Sequence, residues 1–141
     1  MKSAVAGATI PVLRILHTGR LLEQLPEPRL SPLRVHAVVE APEVTPDESY
    51  RRVRQDAKLG AVVSAVRRAA VDLLARAVAA PTPWPEGLVE LARDVPRAIP
   101  LAEVPPSIRA APIYPLAGGG MTSLDAILAS PARQDRLFEE L

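Results

Sequence analysis

Apolar and polar positions alternate in three different ways along this chain, and the changes of period delimit its elements. Residues 8–25 hold two apolar runs separated by Thr18-Gly19, a turn dipeptide that predicts a hairpin. A helix opening at Pro11 and tolerating Gly19 is the competing reading. After the irregular "PEPRLSP" of 26–32, residues 33–41 place Val35, Ala37 and Val39 on one side of an alternating pattern. That pattern predicts a half-buried strand.

Helical spacing follows. In "TPDE", Thr45 stands where a cap is needed, Pro46 at a first helical position and Glu48 at the capping-box position. Leu59, Val62, Val63, Val66, Ala70, Leu73, Leu74 and Ala77 share one helical face. Extended backwards, that face meets Arg51, Arg52, Gln55 and Asp56, whereas Tyr50, Val53 and Ala57 group separately. Two helices, at about 46–59 and 61–79, or one with a sharp bend at Gly60, satisfy both stripes. A shorter helix is expected over 85–94, stopped by Pro96.

Residues 96–120 carry Pro96, Pro100, Pro105, Pro106, Pro112 and Pro115 and end in Gly118-Gly119-Gly120. The segment has no apolar period and reads as an extended arm with a glycine joint. Beyond it, 121–141 suggests two short helices, one opening near Thr122 and one at Ser130-Pro131. Leu124, Ile127 and Leu128 form one small apolar face; Leu137, Phe138 and Leu141 form another. Helices so short need a surface to dock on. The expected fold is therefore α-rich, with α+β as the variant: a helical body over 1–95 with a hairpin or strand pair in 8–41, an arm at 96–120, and a docking segment at 121–141.

Composition narrows the chemistry. The 141 residues include four aromatics, so the core must be aliphatic. The net charge of +1 supplies no global field toward nucleic acid or anionic membranes, and the absence of cysteine removes disulfides and thiolate ligands. "MKSAVAGATIPVLRILH" superficially resembles a signal peptide, but Pro11 and Arg14 interrupt its apolar stretch. No apolar run approaches the length of a membrane span.

No catalytic, cofactor-binding or metal-ligating set emerges. His17 and His36 lie in strand-like stretches without a ligand spacing around them. The glycine run lacks the lysine of a phosphate loop. Arg51, Arg52, Arg54 and Lys58 are the candidate contacts to nucleic acid or to an acidic partner. The resulting expectation is a non-enzymatic accessory protein without cofactor. It would bind protein subunits of a larger assembly, such as a virion or secretion-type complex, or copies of itself. The contact residues would be Leu124, Ile127, Leu128, Leu137, Phe138 and Leu141, in a cytoplasmic setting or a particle assembled there. The alternative is a small antitoxin-like regulator that lays the Arg-rich helix of 46–58 on nucleic acid.

Overall fold

Thr18 and Gly19 adopt φ values of 51° and 79°, the pair of positive angles that a tight right-twisting hairpin requires. They join β1 (Val12–His17) to β2 (Arg20–Pro26). The hairpin reading of this stretch holds, and the helical one does not. The structure, a computed structural model, describes residues 10–130. The chain divides into two units, Met1–Ala70 and Val71–Leu141.

In the first unit β1 pairs antiparallel with β2. The register slips between Ile15, opposite Glu23, and Leu16, opposite Leu21. Leu22 is the extra residue, and this bulge lets Leu22 and Leu25 both enter the core. The chain then crosses over, and β3 (His36–Glu40) lies parallel to β1 on its other side, giving the order β2-β1-β3.

Glu27 starts the crossover. Its N–H donates to the Pro11 carbonyl at 2.7 Å, and its carboxylate accepts from Arg29 Nε at 2.6 Å and Arg29 Nη2 at 2.8 Å. Arg67 in turn donates to the Arg29 carbonyl at 2.7 Å. Val35, Ala37 and Val39 pack toward the core as the alternation predicts. Leu13 and Ile15 of the neighbouring strand share one buried cluster with Leu59, Val62, Val63 and Val66 of the helix.

That helix, α1 (Ala57–Ala79), begins later than the periodicity predicts, and Gly60 is no break. Asp56 caps it, its Oδ1 accepting from Lys58 N at 3.1 Å and Leu59 N at 3.2 Å. Residues 46–56 are not helical. Thr45, Pro46 and Asp47 run antiparallel to 52–54 through a bridge between Pro46 and Val53, which buries Val53. The stripe does change phase, but after Val66: Val71, Ala75 and Val78 are buried, while Leu73 is 67% exposed.

The second unit corrects the extended arm. After α1 come α2 (Leu88–Arg93), α3 (Val95–Ala98), a 3-10 turn at Leu101–Glu103, α4 (Pro106–Ala110), β4 (Tyr114–Pro115), β5 (Met121–Thr122) and α5 (Leu124–Leu128). The prolines start elements rather than forbid them. Pro96 and Pro106 occupy first-turn positions of α3 and α4, where no N–H is needed. Val95, Val104, Ile108 and Ile113 are fully buried or nearly so. Ser107 Oγ donates to the Ala75 carbonyl at 2.9 Å, tying α4 to the last turns of α1. Trp84 Nε1 donates to the Ala80 carbonyl at 2.9 Å.

The three glycines are not a joint. They close the β4–β5 hairpin, with Leu116 N donating to Gly120 O and Gly119 N to Leu116 O, both at 3.0 Å. Over the described residues the fold is α+β, 40% helical and 20% strand, and not α-rich.

Gly119 and Gly120 have φ values of 95° and 82°, and all three positions have open space around a built Cβ. Gly119→Ala and Gly120→Ala should therefore each cost about 1 kcal/mol of stability through backbone strain alone. Gly118→Ala should be neutral or stabilising by less than about 1 kcal/mol. Thermal unfolding of the three variants distinguishes this hairpin from a joint, at which all three would be tolerated equally.

Candidate binding surface

The segment from Thr45 to Arg54 is built around one carboxylate. Arg54 N donates to Thr45 O and Asp47 N to Arg52 O, both at 2.8 Å, and these bonds close a loop over residues 48–51. Inside it, Asp47 Oδ1 accepts from Ser49 Oγ at 2.9 Å, Arg51 N at 3.1 Å and Arg52 N at 3.3 Å. The Arg51 N–H, with the Ser49 hydroxyl behind it, holds the Asp47 carboxyl below the usual carboxylate range. The sequence places Asp47 at a helix start; the acceptors it satisfies are instead the amides of a loop four and five residues on.

Tyr50 sits at the tip with φ 57°, unusual for a bulky residue. Its hydroxyl and His17 Nδ1 are hydrogen-bonded at 2.8 Å, and the two rings meet edge to face with centroids 5.7 Å apart. Val53 N donates to Glu23 Oε1 at 2.7 Å, which fixes the base of the loop to β2. The loop is thus pinned to both strands of the hairpin, at the β1 end through His17 and on β2 through Glu23.

Arg51, Arg52 and Arg54 project from this loop and Lys58 from the first turn of α1, all exposed. The structure thus brings the basic candidates together at a loop and a helix start, not along a helix. Tyr50, 55% exposed, joins them. Glu48 is the exposed acid in the same loop. Helical spacing groups Tyr50 with Val53 and Ala57, and nothing near His17 in sequence supplies it with a partner. The Asp-x-Ser spacing of 47–49 was the available signal for a side-chain-capped turn.

The apolar candidates fare differently. Leu124 and Ile127 are buried within the second unit, and Leu128 is 39% exposed. Ser123 Oγ caps α5 by accepting from Ala126 N at 3.1 Å, so the cap is Ser123 and not Thr122. Arg109 Nε and Nη2 both lie 2.9 Å from Asp125 Oδ1 and tie α4 to α5. Leu124 and Ile127 are therefore core residues. Leu137, Phe138 and Leu141, with the helix start at Ser130-Pro131, lie outside the described residues.

One more polar group was not anticipated. In the second unit Arg97 approaches Asp94 at 3.8 Å and Arg93 approaches Glu90 at 3.8 Å. Burial pushes the Tyr114 hydroxyl up, while Arg93 and Arg97 pull it down. Among the described residues no three His, Asp or Glu side chains gather as a metal site, and no helix is long and apolar enough to cross a membrane. No protein-family profile, curated protein or solved structure matches this chain.

Two outcomes follow. Because the folded-state pKa of Asp47 is lowered, its bonds to Arg51 and Arg52 are complete above the ordinary aspartate range. They are lost as pH falls through the lowered value. The Arg51 and Arg52 amide resonances should shift in that acid window in the wild type and show no such transition in Asp47→Ala. Separately, Ile127→Ala should destabilise the second unit by about 2–5 kcal/mol in denaturant unfolding; a docking residue on a free surface would change stability little.

Proposed function

We propose that this protein is a non-enzymatic accessory protein of a larger assembly, and that the Tyr50–Arg54 loop binds an acidic surface on a partner subunit. The observation that carries this reading is the loop itself. Three arginines and a tyrosine, the residue types that dominate protein-protein binding energy, stand exposed on a backbone held in place beforehand. A loop that is already ordered loses little conformational freedom on binding. The basic charge is local, in a chain of net charge +1, which suits one complementary patch. Leu124 and Ile127, as part of a core, do not contribute to this contact.

A second reading has its own support. An exposed tyrosine ring beside arginines also suits a nucleic-acid strand, with the base stacked and the phosphates paired. The two readings part on salt dependence and on the material captured.

Affinity capture from the native source should retain a protein with an acidic surface on the wild-type chain. Arg51→Ala/Arg52→Ala/Arg54→Ala, with an unchanged circular dichroism spectrum, should bind that purified partner at least about tenfold more weakly. Equal binding by the triple variant refutes the proposal. Retention of RNA or DNA that falls steeply with salt, and is lost in the triple variant, would establish the second reading in its place.

A further inference from the structure

The β3 edge of the three-stranded sheet is complementary to itself. Val12 N donates to Val35 O at 3.0 Å and Ala41 N donates to Leu16 O at 2.9 Å. With Val12 opposite His36 and Leu16 opposite Glu40, the odd-numbered residues of β3 turn their amides and carbonyls toward β1. The N–H and C=O groups of His36, Val38 and Glu40 therefore point away from the sheet. No further strand of the described residues pairs with them. The side chains of the same three residues lie on the outer face, all exposed, with Val38 at 62%. Unpaired edges of this kind are templates for another strand.

From this edge we infer that β3 pairs antiparallel with β3 of a second copy, about a two-fold axis at Val38, joining two sheets into one of six strands. Only about this centre do all three outward-pointing residues of one copy meet all three of the other. Val38 faces Val38 of the second copy, His36 faces Glu40, and Glu40 faces His36, each as a hydrogen-bonded pair exchanging two bonds. On the outer face the imidazole and carboxylate then sit opposite one another on both sides of an apolar Val38 contact. On the inner face Ala37 meets Val39, both half-buried against the core at that margin. A one-residue shift would move the symmetry centre to a bond between residues and set groups that face β1 against groups that face outward. The placement of His36 and Glu40 at the two ends of HAVVE thus favours this direction and register.

This inference rests on the reading of the chain as a binding protein and adds that one of its partners is itself. Five-residue edges bury little area, so the association is weak and reversible.

Sedimentation equilibrium of the full chain, carried to about 1 mM, should show a monomer-dimer equilibrium. Val38→Pro removes only an outward N–H and is compatible with an edge strand, so the fold should persist while the dimer weakens at least about tenfold. His36→Glu sets two carboxylates opposite each other at both ends and should weaken it similarly. Adding Glu40→Lys to His36→Glu should restore it, a readout that does not depend on whether Val38→Pro folds. A wild type that stays monomeric throughout overturns the inference, including the case where the edge takes a strand from another protein. So does a dimer indifferent to Val38→Pro, or a double variant no better than His36→Glu. The arginine loop contributes nothing to this edge, so loss of partner capture in the triple arginine variant and loss of self-association are independent results.

Discussion

The first unit depends on a buried carboxylate. Glu27 is 3% exposed, and burial alone would raise its pKa; the Arg29 side chain outweighs that and holds it below the usual carboxylate range. Its contribution to stability is accordingly present above the ordinary glutamate range and fades as pH falls through the lowered value. Its position matters more than its energy. Glu27 ends the hairpin and begins the crossover, so the same residue satisfies the Pro11 carbonyl, orients Arg29, and through the Arg29 carbonyl engages Arg67 of α1. The crossover is what brings β3 alongside β1 in parallel. Without it there would be a hairpin with no third strand, and β1 rather than β3 would form that edge of the sheet.

Aspartates do comparable work at the next joints. Asp47 gathers the amides of the arginine loop, and Asp56 gathers those of the first turn of α1. Each places one carboxylate oxygen where several N–H groups converge, which is how a short chain with few aromatics fixes loops that lack a large apolar anchor. The arginine side chains are then free of the backbone's own hydrogen-bonding demands. Arg51 and Arg52 donate through their main-chain N–H groups while their guanidinium groups face solvent.

The hairpin, the β3 alternation and the apolar stripe from Leu59 to Val66 were legible in sequence because each rests on local spacing or on a turn that needs positive φ. The helix expected over about 46–59 is not legible, since Thr-Pro-Asp-Glu suits a helix start as well as it suits an extended bridge; burial of Val53 decides against helix over 46–56. The arm of 96–120 misled for a related reason. Proline density suggests extended chain, yet proline is also favoured in the first turn of a helix, and short helices show too little of a period to be seen. The composition of the glycine run suggests a joint, whereas its hairpin depends on the positive φ of Gly119 and Gly120 and on a two-residue pairing across it. Of the candidate site, the arginines were visible. Their geometry was not, because the contact of Tyr50 with His17 spans 33 positions and leaves no local trace.

The scarcity of aromatic residues has a last consequence, for observation rather than for folding. The single tryptophan, Trp84, lies in the second unit with its indole N–H on the Ala80 carbonyl, and the two tyrosines are divided between the units, Tyr50 in the first and Tyr114 in the second. Indole emission therefore originates wholly from one half of the molecule. The polarity around Tyr50, exposed and bonded to an imidazole, differs from that around the buried Tyr114. The native chain carries its own pair of optical reporters, one for each half, with no label to attach.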